Sequence, residues 1–180
     1  MTYSRQDKSN DQRSAFKSYL VDWPKSSRAL SDIRHQVFIL EQGVSSEEEW
    51  DGKDENAWHF AVKDYRKDPS ELIGCARIIE ETWHGEKGLH IGRVAVLKPW
   101  RGRGAGLQLM HAMLYWCAQR ANSHRTVFLH AQIEALGFYQ RLGFQCVGPE
   151  FIDAGIPHRT MVLSKSTVNM GAENANELSS

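Results

Sequence analysis

A glycine-rich turn after a strongly apolar segment is the part of this sequence with the clearest chemical character. Residues 90–106 read HIGRVAVLKPWRGRGAG, which predicts a strand, a sharp turn and then the start of a helix. Pro99 ends the strand because it cannot donate a ladder hydrogen bond. Glycines stand at positions 102, 104 and 106. Glycine lets a backbone turn tightly and approach a ligand without interference from a Cβ atom. The segment therefore has the backbone freedom that a close-contact binding loop requires.

Anion binding is the chemistry that this turn favours. The amides of Gly102–Leu107 are expected to be unsatisfied donors at the helix start, and such an N-terminus attracts an anion. Arg101 and Arg103 add two positive charges. The alternative is a plain turn with two solvated arginines. Two common phosphate motifs do not fit, because no Gly-Lys-Ser/Thr ends the turn and Leu107 stands where a dinucleotide fingerprint has its third glycine.

The segments on either side alternate between strand and helix periodicity. Strands are predicted over residues 16–21, 57–62, 72–79, 89–97, 126–131, 145–151 and 159–163. Helices are predicted from Pro24 to a stop at Gly43, over residues 104–121, and over residues 135–142 with Gly143 as the cap. Residues 45–56 read as an acidic loop and residues 80–88 as a turn-rich connection. The pattern predicts an α/β fold with a mixed sheet and helices on its faces.

Length, charge and composition exclude several classes of protein. The 180 residues suit one domain, predicted over residues 14–164 between a flexible N-terminal segment, 1–13, and a disordered tail, 165–180. Basic and acidic residues number 22 each, which argues against a nucleic-acid partner. No segment reaches the roughly 20 apolar residues of a membrane span, and the N-terminus lacks the apolar core of a secretory signal. We therefore expect a cytoplasmic protein with no membrane partner.

The cysteines and histidines indicate neither a disulfide framework nor a metal centre. Cys75, Cys117 and Cys146 are widely spaced among apolar residues, so the interpretation is reduced core residues. The eight histidines lack metal-ligand spacing with cysteines or carboxylates, and we expect no metal.

Several motifs resemble those of the GNAT acetyltransferase superfamily. The run Arg101–Gly106 is similar to that family's acetyl-CoA signature, and residues 135–144, ALGFYQRLGF, are similar to its Phe-Tyr-x-x-x-Gly-Phe element. One helix and one strand separate the two motifs, as in the family. Four further features resemble the ElaA-like branch, and they are Arg34-x-x-Val-Phe-x-x-Glu-Gln42, Gly92-Arg93-Val94, Ala131-Gln132 and Gly155-Ile-Pro-His158. The resemblance covers about residues 15–164.

The resemblance implies a fold and a cofactor site. Family members have a central, mostly antiparallel sheet whose fourth and fifth strands splay apart to admit acetyl-CoA as co-substrate. The resemblance assigns the pantetheine arm to Val94, Ala95 and Val96. It assigns the pyrophosphate to Arg101, Gly102, Arg103, Gly104, Ala105 and Gly106. Gln132 stands near the position where many relatives have an Asn that contacts the cofactor.

The implied reaction is acetyl transfer to a primary amine of a small molecule or peptide. The Phe-Tyr match places Tyr139 as the general acid toward the CoA thiolate, with a core aromatic as the alternative. His90 stands where some relatives have a Glu that acts as the general base, and a histidine also suits this role. Strand alternation predicts that His90, Gly92, Val94 and Val96 share one face. Glu41 and His158 are the candidates for contact with the acceptor.

Other interpretations remain open at this point. The acidic run over residues 47–55 could attract a cationic amine, but a solvated loop is favoured. A non-catalytic acyl-CoA-binding module is the main alternative to an enzyme. A nucleic-acid-binding domain that uses Arg101 and Arg103 is the weakest alternative. The sequence does not identify the acceptor, and it leaves a homodimer open.

Overall fold

The computed structural model describes residues 15–66, 71–120 and 125–164. The predicted flexible N-terminal segment, 1–13, and the predicted disordered tail, 165–180, lie outside the described residues. Within the described ranges the chain forms one seven-stranded sheet with helices on both faces.

The strands follow the chain in a nearly sequential order across the sheet. They are β1 (Phe16–Val21), β2 (Trp58–Asp64), β3 (Leu72–Trp83), β4 (Glu86–Val96), β5 (Val127–Gln132), β6 (Phe144–Asp153) and β7 (Ile156–Leu163). Their spatial order is β1-β2-β3-β4-β5-β7-β6, and every neighbouring pair except β4 and β5 is antiparallel. The predicted mixed, mostly antiparallel sheet is confirmed.

In the part of the chain that the structure describes, four α-helices, one π-helical segment and three 3-10 turns connect the strands. The α-helices are α1 (Trp23–Arg34), α2 (Ser46–Glu49), α3 (Ala105–Arg120) and α4 (Leu136–Arg141). A π-helical segment, His35–Glu41, continues α1, and 3-10 turns cover Asp54–Asn56, Lys98–Trp100 and Ile133–Ala135. The predicted first helix is thus confirmed. Its start is earlier than predicted, because Asp22 takes the N-cap position before Pro24.

Two apolar clusters hold the helices on opposite faces of the sheet. The larger cluster includes Leu109, Met110 and Met113 of α3, all fully buried against the sheet. The smaller cluster joins Leu30 and Ile33 of α1 to the other face. Burying a side chain of this size contributes about 1.5–3 kcal/mol, so the two clusters fix both helices firmly. Cys75 and Cys117 are buried and Cys146 is half-buried, and all three are free thiols, as predicted.

The parallel pair β4–β5 is short, and this opens the sheet. Only Leu89, His90 and Ile91 of β4 pair with β5, opposite Val127–Leu129. Gly92, Ala95 and Val96 still pair with β3 on their other side. The two strands therefore separate after Ile91, which confirms the predicted splayed gap.

A β-bulge lies in β4 at the point where the gap begins. Cys75 of β3 faces Ala95 and Arg77 faces Gly92, so three steps along β4 match two steps along β3. Arg93 has a positive φ of 53°, a conformation that non-glycine residues rarely adopt. The extra residue reverses the alternation of side chains along the strand.

Two connections differ from the prediction. Residues 45–56 are not a plain loop, because Ser45 and Glu48 form a capping box that starts α2. Residues 80–88 are not an irregular connection, because β3 and β4 pair as far as Trp83 and Glu86 around His84 and Gly85. Both segments have the polar composition that is typical of loops. Helix capping gave the first segment regular structure, and cross-strand pairing did so for the second.

Candidate functional site

A cavity of about 500 Å³ lies where β4 and β5 separate. Its wall includes His90, Gly92 and Val94 of β4, and Leu129 and Gln132 of β5. The remaining lining residues come from the end of the first helix, the acidic segment, β3, α4 and the β6–β7 hairpin, and among them are Gln42, Glu48, Glu81, Tyr139, Asp153 and His158. Residues from most of the chain thus converge on one opening of the sheet.

The glycine-rich turn leads from β4 into α3 at the edge of this gap. Gly102 and Gly104 have φ values of 71° and 96°, which favour glycine. Among the described residues, no backbone acceptor engages the amides of Gly102–Leu107, and the first helical bond is donated by Gln108 to the Gly104 carbonyl at 3.0 Å. This row of free donors at a helix N-terminus fits an anion such as a pyrophosphate.

The edge of β4 that faces the gap also carries free backbone groups. The Leu97 amide donates to the Ile73 carbonyl on the β3 side, at 2.9 Å. Because backbone amides alternate in direction along a strand, those of Val94 and Val96 point to the opposite side, into the gap. β5 has already diverged there, so these amides are available to an extended ligand. Ala95 lies between them and is buried on the α1 face.

Arg101 fastens the turn to its surroundings. Its Nε donates to the Val96 carbonyl at 2.7 Å, and its guanidinium lies 2.8 Å from the Glu41 carboxylate. Arg103 is exposed. Glu41, a candidate for acceptor contact, thus lies beside the glycine turn as the partner of Arg101. The assignment of both residues to ligand contact stays a prediction.

Tyr139 reaches the cavity from α4. Its side chain is 9% exposed and packs between Phe138 and Phe144, with ring centroids 5.1 and 6.0 Å away. Burial raises the pKa of Tyr139 to about 12, so the phenol keeps its proton at neutral pH. No hydrogen bond between described residues uses the hydroxyl, which leaves it available to a ligand in the cavity.

His90 lies on the cavity wall in contact with an acidic residue. Its Nδ1 is 2.6 Å from Oε2 of Glu81 on β3, and the other oxygen of Glu81 is 2.7 Å from Lys53 Nζ. Burial and the neighbouring His130 lower the pKa of His90 to about 4, although Glu81 opposes this shift. The imidazole is therefore neutral at neutral pH and can accept a proton.

The predicted common face of His90, Gly92, Val94 and Val96 is wrong. The bulge at Arg93 shifts the alternation, so that Val94 and Val96 pack on the α3 side with Ile91. His90 points to the opposite face, where it stacks on Phe128 with ring centroids 4.6 Å apart. The consequence is that His90 faces the α1 side of the sheet.

The remaining sequence candidates also line the cavity. His158 is 8% exposed, and its Nδ1 lies 2.8 Å from the Ile156 carbonyl. Gln132 donates its amide to Oε1 of Gln42 at 2.9 Å, which joins the end of β5 to the end of the first helix across the cavity. The structure therefore brings Tyr139, His90, Gln132 and His158 together in one cavity.

The interpretation of the acidic run as a solvated loop is wrong for half of its carboxylates. Glu49, Asp51 and Asp54 form a network with three arginines, and those are Arg34, Arg77 and Arg93. The Arg34 and Glu49 side chains are each 2% exposed. Three buried or half-buried arginines neutralise these acids, so this part of the run is a structural wall of the cavity. Glu47, Glu48 and Glu55 are exposed.

Glu81, Lys53 and Arg77 are site residues that sequence reasoning missed. Glu81 fell within a predicted turn, and its distance of nine positions from His90 gave no periodic signal. The contact could have been found only if β3 had been predicted to extend further, because the β3–β4 hairpin is what places Glu81 near His90. Arg77 stood unremarked in an apolar strand, where a charged residue can be a signal of an internal partner.

Two further features concern metal ions and membranes. In the described ranges, no three His, Cys, Asp or Glu side chains converge to hold a metal ion. Across the same ranges, no helix has both the length and the apolar character that crossing a bilayer requires.

The fold and the open sheet edge define a class of protein, and sequence comparison names it. The sequence model of the family described as "Acetyltransferase (GNAT) domain" matches residues 27–165. The chain belongs to the GNAT acetyltransferase family.

Individual relatives agree with this assignment. YyaT of Bacillus subtilis (strain 168) is 35% identical over 72% of this chain and 82% of its own length. From the same organism, YjcF, named an uncharacterized N-acetyltransferase, is 33% identical over 77% of this chain and 94% of its own length. The crystal structure of Escherichia coli ElaA has a TM-score of 0.69 and 28% identity, and covers 82% of this chain and 99% of its own. The resemblance to the ElaA-like branch is confirmed.

Proposed function

We propose that the protein transfers an acetyl group from acetyl-CoA to a primary amine of a small molecule or peptide. Direct attack of the amine on the acetyl carbon is the reaction that the cavity supports best. Membership of the family supports acyl transfer in general. The cavity adds the neutral imidazole of His90 and the protonated phenol of Tyr139, which both lie beside an unpaired strand edge.

The cofactor-binding assignment follows from free backbone groups. The amides of Gly102–Leu107 would hold the pyrophosphate, and Arg103 would add positive charge. The gap-facing amides of Val94 and Val96 would bind the pantetheine arm as an added strand does. Gln132 lies at the cavity beyond them and would contact the cofactor or the acyl group. Each charge-assisted hydrogen bond contributes about 1.5–3 kcal/mol, so several together support micromolar binding.

The proposed reaction moves one acyl group and one proton. The amine nitrogen bonds to the acetyl carbon, the carbon–sulfur bond breaks, and the products are an amide and the CoA thiol. The nitrogen sheds a proton, which His90 accepts at Nε2. Tyr139 donates its phenolic proton, or a hydrogen bond, to the departing sulfur.

One observation carries this proposal: a neutral imidazole and a protonated phenol line the same cavity, beside an unpaired strand edge and a free helix N-terminus. The test is release of thiol from acetyl-CoA with a panel of polyamines, amino acids, aminoglycosides and peptide N-termini. Mass spectrometry of the acceptor should show the added acetyl group. Tight CoA binding without thiol release for any acceptor would favour the non-catalytic acyl-CoA-binding module.

A further inference from the structure

We propose that Glu81 is a positioning residue for His90. Its carboxylate holds the imidazole in the tautomer with the proton on Nδ1 and a free lone pair on Nε2. The catalytic meaning of this contact rests on the proposed function, in which His90 Nε2 accepts the proton of the amine. The contact itself is a property of the folded chain and can be measured without substrate.

The assignment of the proton follows from the geometry. The His90 Nδ1 and the Glu81 Oε2 are 2.6 Å apart, which is a hydrogen-bond distance. An ionised carboxylate can only accept, so Nδ1 must carry the hydrogen. A neutral imidazole with its hydrogen on Nδ1 has its lone pair on Nε2. No hydrogen bond between described residues uses Nε2, and His90 lines the cavity.

Glu81 is itself held in place by its second oxygen. Lys53 Nζ lies 2.7 Å from Oε1, so each oxygen of the carboxylate has its own partner. The Lys53 backbone amide donates to Oδ1 of Asp51 at 3.1 Å. Asp51 is in turn bound by the Arg77 guanidinium. The carboxylate therefore cannot rotate away from His90 without breaking an ion pair that is tied to the arginine network.

The plane of the imidazole is fixed by neighbouring rings. Phe128 of β5 stacks on it at 4.6 Å with an interplanar angle of 11°. His130 of the same strand contacts it edge-on, with ring centroids 4.7 Å apart. The His90 side chain is 16% exposed. A ring held on one face and at one edge, with Nδ1 bonded, presents Nε2 in one direction.

The charges around His90 are consistent with a neutral ring. The titratable groups that face it are Glu81 from β3, Lys53 from the acidic segment and His130 from β5. Farther out, Asp153 of β6 tends to raise the pKa of His130, and His158 of β7 tends to lower it. Burial and His130 outweigh Glu81, so the pKa of His90 falls to about 4. For Glu81, burial is outweighed by the hydrogen bonds of Lys53 and His90, which lower its pKa and keep it ionised.

Nuclear magnetic resonance can read the tautomer directly. Long-range ¹H–¹⁵N spectra of ¹⁵N-histidine-labelled protein, recorded at pH 7 without ligand, distinguish a protonated ring nitrogen from a bare one. The eight histidines are resolved by comparison with a His90→Asn variant, which lacks the His90 signals. We expect Nδ1 protonated and Nε2 bare in the wild-type protein. A wild-type His90 with its proton on Nε2 would overturn the proposal.

Two variants of Glu81 separate positioning from folding. Glu81→Leu removes the acceptor, so we expect His90 to lose its single tautomer and kcat to fall about 10-fold or more, with an unchanged KM for acetyl-CoA. Glu81→Gln has nearly the same shape but only one carbonyl oxygen, which Lys53 Nζ requires as its acceptor. We therefore expect its amide NH2 to face His90 Nδ1, the proton of His90 to shift to Nε2, and kcat to fall. Glu80→Gln is the matched control, because Glu80 is exposed and pairs with Lys87 and Arg125 instead. An unchanged tautomer in Glu81→Leu would refute the positioning role, whatever its kcat.

Failure of this inference and failure of the proposed function give different results. If the wild-type protein acetylates no amine, the proposed function fails, but the spectra still decide whether Glu81 sets the tautomer. If thiol release occurs and the tautomer does not depend on Glu81, the enzyme assignment stands and this inference fails. Should Glu81→Leu not fold, the comparison of wild type with Glu81→Gln still decides the tautomer.

Discussion

Arg34 and Glu49 form a buried ion pair that joins the first helix to the acidic segment. The Arg34 Nε contacts Oε1 of Glu49, and its other nitrogens reach Asp54 Oδ1 at 2.7 Å and the Glu49 carbonyl at 3.1 Å. Trp50 covers the guanidinium at 4.7 Å from the ring centroid. This one arginine therefore organises the segment that forms one wall of the cavity.

Replacing Arg34 should strongly destabilise the fold. Arg34→Met leaves two buried or half-buried carboxylates, Glu49 and Asp54, without one of their cations, and breaking such a pair costs about 3–5 kcal/mol. Chemical denaturation measures the free energy of unfolding. Lys25→Met is the control, because Lys25 is exposed and has Asp22 as its one ion-pair partner among the described residues, so about 1 kcal/mol or less is expected. A loss for Arg34→Met no larger than that of the control would show that the network does not stabilise the fold.

Asp51 should make the free energy of unfolding depend on pH in the acidic range. Burial tends to raise its pKa, but the hydrogen bonds from Arg77 and the Lys53 amide lower it from 3.8 to about 2. A lowered folded-state pKa contributes stability above the unfolded value, so this contribution is lost as the pH falls from about 4 to about 2. Denaturation curves over this range should show a shallower pH dependence for Asp51→Asn than for wild type. The exposed neighbour variant Glu47→Gln should retain the wild-type slope, and an equal slope in Asp51→Asn would contradict the assignment.

Tyr139→Phe should lower turnover and leave cofactor affinity nearly unchanged. The substitution removes only the hydroxyl that would donate to the sulfur, and general acids contribute about 10²-fold or more to rate. Steady-state kinetics gives kcat, and calorimetric titration with CoA gives the dissociation constant. Tyr115→Phe is the matched control, because Tyr115 is 49% exposed on α3. Unaltered turnover in the Tyr139 variant would retire the acid assignment.

Gly104→Asp should abolish binding of acetyl-CoA. No heavy atom lies within 4 Å of a Cβ built at Gly104, so the free protein has room for the side chain. The loss should come from the positive φ of 96° and from repulsion between the carboxylate and the phosphates. We expect an affinity loss of about 100-fold or more, which equals one or two charge-assisted hydrogen bonds. Titration calorimetry checks this value.

Gly85→Asp controls for the general cost in folding stability of an Asp at a glycine with positive φ. Gly85 has a φ of 86° and open space around its Cβ position, but it lies at the β3–β4 hairpin turn. This variant should share the strain and keep the affinity for acetyl-CoA. Equal affinity losses in both variants would mean that a general loss of folding stability, and not the phosphate site, explains the effect.

The pH dependence of kcat should show no histidine titration near the ordinary pKa of 6.5. Because burial and His130 lower the pKa of His90 to about 4, the accepting neutral form predominates above that pH. At saturating acetyl-CoA and acceptor, kcat should therefore not fall about 10-fold between pH 7.5 and 5.5, as a histidine base with the ordinary pKa of about 6.5 would require. A limb at pH 6.5 that disappears in His90→Gln would show that His90 is charged in the neutral range, against this expectation.

Local sequence was sufficient for the position of every strand, for the three longer predicted helices and for the glycine turn, but not for α2 or for the β3–β4 hairpin. Gly102 and Gly104 have the positive φ angles that their residue type predicted, and Pro99 lies just past the end of β4. The helical spacing of Leu30, Ile33 and Val37 also matches their burial. These features are determined within a few residues of the chain, because backbone freedom and amphipathic periodicity are local properties.

The placement of His90 could not be obtained in the same way. Alternation predicted a common face with Val94, but the bulge at Arg93 reverses it. A bulge requires a partner strand with a different residue count, so it depends on how β3 and β4 pair. The contact of His90 with Glu81 has the same origin, since the hairpin register brings these residues together across the sheet.

The sequence by itself thus determined the α/β fold and, through the family motifs, the segments expected to bind the cofactor. Only the tertiary structure decided that half of the acidic run is neutralised by Arg34, Arg77 and Arg93, which come from a helix and two strands. Charge on a residue is visible in a sequence, but its desolvation and its partner are set by distant segments that pack together. The same reason explains why Glu81 emerged as a neighbour of His90 only in the folded chain.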